Sequence, residues 1–181
     1  MKRGQKIALV GANGLGKSTL LKSLMGLIKP ISGEVKLDNY QEIGYFEQEI
    51  KELNTNSVID EVWNDLQGYN KYQIRSELAK CGLTNGHIES TVSILSGGEK
   101  AKVRLCKLIN KPTNILILDE PTNHLDVEAK DELKRALKEY EGSILLVCHE
   151  VEFYRDVVTN IWICEGWATV FLIHICEFKK Q

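Results

Sequence analysis

The chain has 181 residues, 43% of them hydrophobic, enough for one domain with a sizeable buried core. Lys and Arg total 23 against 25 Asp and Glu, and a net charge of -2 provides no polybasic surface for nucleic acid or anionic lipid. The five cysteines are odd in number and form no Cys-x-x-Cys pair, which argues against a disulfide framework and fits reduced thiols in a cytosolic protein.

In chain order, Lys2, Arg3 and Lys6 lead into Ile7-Ala8-Leu9-Val10, an apolar run too short for a signal peptide and cut off by glycine. It reads as a buried strand. The next stretch is Gly11-Ala12-Asn13-Gly14-Leu15-Gly16-Lys17-Ser18-Thr19, a phosphate-binding loop. Gly11, Gly14 and Gly16 take turns barred to other residues and leave the backbone N–H groups clear to converge on an anion. A helix predicted from Lys17 to Leu27 puts phosphates at its N-terminus, among unpaired donors and the positive end of its dipole. The Lys17 ammonium is expected at the β/γ-phosphates and the Ser18 hydroxyl on Mg²⁺.

Pro30 and Gly33 mark a turn, after which Glu34–Leu37 and Ile43–Phe46 read as short strands, the second running into Glu47-Gln48. From Ser57 the periodicity becomes helical, with Val58, Val62 and Leu66 on one face and, past Gly68, Ile74, Leu78 and Leu83 on another. Leu95-Ser96-Gly97-Gly98-Glu99 precedes a helical run over Lys100–Leu108. By itself that string is a good helix start, a serine N-cap with a nearby glutamate.

Ile115–Leu118 is continuously apolar and closed by Asp119-Glu120, as expected of a strand buried on both faces of a parallel sheet. After Pro121 a helix is predicted over Val127–Tyr140, with Leu133, Ala136, Leu137 and Tyr140 as its apolar stripe and Gly142 at its close. Ser143–Cys148 is the next buried strand, ending at His149. Alternating strands and helices predict an α/β fold, a mostly parallel sheet with functional loops at the strands' carboxyl ends. The late apolar run Ala168–Cys176 is far shorter than the ~20 residues that span a bilayer, so no membrane insertion is expected. Cys148, His149, His174 and Cys176 match no zinc-finger spacing.

Two adjacent carboxylates at a strand end, in a chain that already has a phosphate loop, suit metal-assisted phosphoryl transfer. Asp119 would hold Mg²⁺ directly or through water, and Glu120 would orient or deprotonate the water attacking the γ-phosphate.

This ordered set resembles the nucleotide-binding domain of the ATP-binding cassette (ABC) superfamily. Gly11–Thr19 is similar to its Walker A motif, Ile115–Glu120 to Walker B, Leu95–Glu99 to the signature motif, Gln48 to the Q-loop, Leu125-Asp126 to the D-loop and His149 to the switch histidine. Glu120–Asp126, which reads EPTNHLD, and the IGYFEQ lead-in to Gln48 look most like the second cassette of an ABC-F protein, a soluble twin-cassette protein acting on ribosomes. The resemblance covers about residues 4–167 and implies a P-loop NTPase with a small helical insertion at about residues 55–110 and a divergent tail at 168–181. Only residues 1–6 precede the first strand, where the family has an upstream strand bearing an adenine-stacking aromatic, so the N-terminal β-part is expected to be truncated. Cys148 and Glu150 flank His149 where the family usually has Ser and Asp.

The resemblance implies ATP and Mg²⁺ as cofactors, ATP hydrolysis as the activity, and a second cassette stacked head to tail as the partner. Leu95, Ser96, Gly97, Gly98 and Glu99 would then serve the opposite cassette's nucleotide, with Asp126 of the D-loop as a further nucleotide-binding residue, while Gln48 reaches Mg²⁺ and the attacking water and His149 the γ-phosphate. A ribosome contact would run through segments outside this chain, in a cytoplasmic protein. An ATPase subunit of an ABC transporter and a nucleotide-binding remnant without turnover are the alternative readings.

Overall fold

The computed structural model describes the chain apart from residues 2, 38–39, 47–54, 67, 166–171 and 178–181, with the backbone alone at 165 and 172–177. Its apolar runs form β1 (Lys6–Val10), β2 (Ile43–Phe46), β3 (Ile115–Asp119), β4 (Ser143–Val147), β5 (Asn160–Glu165) and β6 (Leu172–Glu177), in one sheet of order β2-β3-β4-β1-β5-β6. β1 runs parallel to β4 and β5, and β3 parallel to β4, while β6 lies antiparallel to β5. The expected α/β, mostly parallel architecture is therefore present. The three central strands β3, β4 and β1 end on the same side, so the loops following them share one edge of the sheet.

The chain divides into two units, one comprising Met1–Tyr45, Thr113–Glu120 and Tyr140–Gln181, the other Phe46–Pro112 and Pro121–Glu139. In the first, the helix α1 (Lys17–Leu24) lays Leu21 on a sheet face built by Ile7, Leu9, Ile117, Leu145 and Val147. Strand residues of the opposite parity, Leu116, Leu118, Ile144 and Leu146, are equally buried, which is why these strands read as unbroken apolar runs.

The second unit contains α2 (Val58–Asp65), α3 (Lys71–Lys80), α4 (Asn85–Glu89), α5 (Gly97–Asn110) and α6 (Val127–Glu139). Val58, Val62 and Leu66 do share a buried face, and Ile74, Leu78 and Leu83 join them in a single cluster with Val103 and Cys106 from α5. Most of these helices start on a side-chain cap: Ser57 for α2, and reciprocal capping boxes Asn70–Gln73, Thr84–His87 and Ser96–Glu99 for α3, α4 and α5.

Several expectations are corrected. Glu34–Leu37 forms no strand: its alternating apolar residues find no partner strand, and Val35 and Leu37 stay 37% and 49% exposed. α1 stops at Leu24, short of Leu27, as the chain turns through Gly26. Gly97 and Gly98 belong to the first turn of α5, so the helix begins before Lys100. α4, β5 and β6 add to the elements expected from the sequence, and β6 continues the sheet beyond residue 167. Among the described residues, no helix is long and apolar enough to cross a membrane, and Cys81, Cys106, Cys148 and Cys164 are buried free thiols.

Candidate functional site

Within the first unit, β1 delivers the chain to Gly11 and the loop closes on Gly16, whose left-handed backbone (φ 71°, ψ 24°) forms the N-cap of α1. A residue with a β-carbon would be strained there, and glycine contributes no capping side chain. No side chain caps α1 and no acidic residue lies in its first turn, in contrast to the capped starts of α2 to α5. Its first N–H groups are therefore open to an external anion, with the helix dipole behind them. The Lys17 side chain folds back over the loop, and Nζ donates to the carbonyl oxygens of Gly11 and Ala12, each at 2.9 Å. Only 6% of Lys17 is exposed, so a largely desolvated cation sits against this loop.

Asp119 ends β3 and is 2% exposed. Burial holds its carboxyl above the usual carboxylate range, and the charge of neighbouring Glu120 adds to this; a hydrogen bond from Ser18 and the charges of Lys22 and Lys17 act in opposition. Its Oδ1 atom has no hydrogen-bond partner. A buried carboxylate oxygen left open beside a serine hydroxyl suits a hard divalent cation, whose charge would offset the cost of burial. Among the described residues, no group of three His, Cys, Asp or Glu side chains is placed to hold a metal ion by itself. Such an ion would accordingly rest on Asp119, the Ser18 hydroxyl, phosphate oxygens and water, the sparse protein ligation that Mg²⁺ prefers.

Glu120 adopts φ 48°, a left-handed backbone that costs a non-glycine residue on the order of 1–3 kcal/mol. Its N–H donates to the carbonyl oxygen of Val147 (2.9 Å), which anchors the turn to β4. The strained backbone swings the side chain away from the strand's path, and Oε1 comes within 3.3 Å of His149 Nε2. His149 follows β4 two residues past Val147, the register partner of Asp119. The phosphate loop, Asp119, Glu120 and His149 are thus brought together by three neighbouring strands. Gln48 lies outside the described residues.

The remaining expected site residues, Leu95–Glu99 and Asp126, lie in the second unit. Ser96 Oγ accepts from the Glu99 N–H (3.3 Å), and Glu99 Oε2 accepts from the Ser96 N–H (2.8 Å). Hydrogen bonds to the carboxylate from the Ser96 N–H and then the Ser96 side chain hold the Glu99 carboxyl below its usual range. A β-carbon added to Gly98 would stand 2.7 Å from the carbonyl oxygen of His124, which itself has φ 65°. The glycine is thus required by a backbone packed against it. Asp126 caps α6 by accepting from the Ala129 N–H (2.8 Å), and its other oxygen pairs with Lys102 Nζ (2.8 Å), so its carboxyl is held low, chiefly by Lys102. Asp126 therefore ties the Pro121–Leu125 turn to α5. Lys102, His87 and the His124 carbonyl carried no local signal in the sequence, because their contacts join segments 12 to 26 residues apart.

The family model described as "ABC transporter" matches residues 1–123. The chain is similar to the uncharacterized ABC transporter ATP-binding protein YfmM of Bacillus subtilis, at 65% identity over 172 residues, covering 95% of this chain and 33% of that protein. It is also similar to ABC transporter F family member 5 of Arabidopsis thaliana, at 41% identity over 165 residues, covering 89% and 24%. The chain therefore spans about a quarter to a third of the length of these relatives. Among solved structures, it is similar to the archaeal ribosome recycling factor aABCE1 in complex with the ribosomal stalk protein aP1, with TM-score 0.79, 30% identity, and coverage of 92% and 33%. The ATP-binding cassette MJ0796, a dimer in a post-hydrolysis state bound to ADP and Pi, shares the fold at TM-score 0.76 and 22% identity, with coverage of 90% and 82%.

Proposed function

The chain belongs to the ATP-binding cassette family, and from that premise we propose that it binds ATP with Mg²⁺ and hydrolyses it to ADP and phosphate as one of two cassettes paired head to tail. The F family relative and the ribosome recycling factor support a setting in a cytoplasmic, ribosome-associated translation factor, with ribosome contacts made by segments outside this chain.

The open N-terminus of α1, the loop from Gly11 to Thr19 and the Lys17 ammonium hold the phosphates. Ser18 and Asp119 hold Mg²⁺, which would offset the charge of the phosphates. Glu120 accepts the proton of the attacking water, and His149, which rests against Glu120 here, hydrogen-bonds the γ-phosphate when nucleotide is bound. Gln48 is assigned to the metal and the water from the resemblance. The Ser96–Glu99 helix start and the Asp126 turn face the nucleotide of the second cassette. Residues 1–167 would make up the cassette, with a helical insertion at about 55–110 and residues 168–181 as its divergent end.

The observation that carries this reading is the Glu120–His149 contact of 3.3 Å beside a buried, half-satisfied Asp119. Glu120→Gln tests it, because the amide keeps the size of the side chain but cannot take a proton. ATPase turnover, with a second cassette supplied, should fall ~10²–10⁴-fold while ATP binding survives and the ATP-dependent closed pair persists in light scattering. Turnover at the parent rate would refute the role of Glu120, and joint loss of binding and turnover would make it a metal or structural residue.

A further inference from the structure

The capping boxes at the starts of α4 and α5 are not independent. His87, the third residue of α4, accepts at Nδ1 from the Thr84 N–H (3.4 Å), so its neutral ring carries the proton on Nε2. That nitrogen lies 3.2 Å from Glu99 Oε1. The other oxygen of the same carboxylate accepts from the Ser96 N–H, and Ser96 Oγ accepts in turn from the Glu99 N–H. One hydrogen-bonded chain therefore runs from Thr84 through His87 and Glu99 to Ser96, entirely within the second unit.

We propose that His87 is a positioning residue: by holding Glu99 Oε1 it fixes the carboxylate that orients Ser96, the residue presented to the opposite cassette's nucleotide. This rests on the head-to-tail reading above. The phosphate loop and Asp119 belong to the other unit, so the contribution of His87 lies in pairing and not in ATP binding by its own chain. Without it, Glu99 retains the Ser96 bond but gains freedom to rotate about its own side-chain torsions, and the serine is presented in several orientations instead of one. Such loosening of a supporting contact is felt at a site whose donors must be placed before the nucleotide arrives.

His87→Gln separates this role from simple helix capping. Glutamine at the third helical position is an ordinary capping-box partner for Thr84, and while so engaged it cannot also reach Glu99. In the full chain, the variant should unfold at nearly the parent temperature and bind ATP with parent affinity. Exchange of the Ser96 amide hydrogen should accelerate, and the concentration of second cassette needed for half-maximal ATP-driven association should rise, each by roughly tenfold, the scale set by losing one bond to a charged group. In combination with Glu99→Ala, the substitution should add nothing further, because His87 acts through Glu99. Unchanged Ser96 exchange overturns the proposal, as does an additive double variant. Ser96→Arg distinguishes the two levels. If it blocks association while His87→Gln does not, the positioning role fails alone; if it leaves association intact, the head-to-tail reading has failed first.

Discussion

Asp119 and Glu120 are adjacent in the chain, yet the fold gives them opposite environments. Asp119 is sealed in, with one oxygen unpartnered, while Glu120 turns through a left-handed backbone toward His149. Burial raises the Asp119 carboxyl above its ordinary 3.8, so the native state holds that proton more tightly than the unfolded chain does. Stability contributed by this group therefore falls as pH rises from the unfolded value through the raised folded one. Asp119→Asn removes the buried charge. Without Mg²⁺ and nucleotide, it should melt no lower than the parent at pH 7, with any advantage fading below pH 3.8. Its Mg-dependent ATP affinity should drop by at least the roughly 10–100-fold that losing supporting groups costs a metal site. A lower melting temperature at pH 7 would mean that the carboxylate is net stabilised by its partners.

At the scale of elements, the start of α5 shows two opposing effects at one residue. Glycine in a helix is ordinarily a liability of about 1 kcal/mol relative to alanine, so Gly98→Ala should stabilise α5 on propensity alone. The added β-carbon would meet the His124 carbonyl oxygen at 2.7 Å, however, and that atom is backbone held in a turn which Asp126 and Lys102 tie down. Overpacking of this kind costs about 1–3 kcal/mol, so the clash outweighs the propensity gain. Urea unfolding should show Gly98→Ala destabilised by up to a few kcal/mol, and a stabilised variant would mean that the turn yields freely. Local patterns foretold α2, α3 and α6 well, because their apolar residues recur at helical spacing. They misjudged Glu34–Leu37, since strand propensity is realised only where another strand offers its backbone.

For the molecule as a whole, the proposed site residues fall in two groups. The phosphate loop, Asp119, Glu120 and His149 belong to the sheet-bearing unit, and Ser96–Glu99 with Asp126 belong to the helical one. Under the head-to-tail reading each group serves a different nucleotide, and Ser96→Arg exploits that division. The substitution removes the cap of α5, at a cost of about 0.5–2 kcal/mol in stability, and places a bulky cation on the pairing face. ATP affinity of the single chain, read by calorimetry, should be unchanged, while ATP-driven association in light scattering should vanish. A folded variant that loses ATP binding as a single chain would show that Ser96 serves its own nucleotide.

Sequence alone determined the local elements and their order: strand, glycine loop and Lys17-Ser18; the apolar run ending in Asp119-Glu120; the serine-capped start at Leu95–Glu99; and the strand ending at His149. These are legible because spacing, glycine permissiveness and unbroken apolar runs are local properties of the chain. Only the tertiary structure decided that Glu120 would take a left-handed backbone and meet His149, that Asp119 would keep an oxygen unpartnered, and that Gly98 would lie under the His124 carbonyl. It likewise recruited Lys102 and His87, two residues without a local signature. Desolvation and close approach depend on which distant segments meet, and that is settled by how strands and helices pack, not by neighbours along the chain.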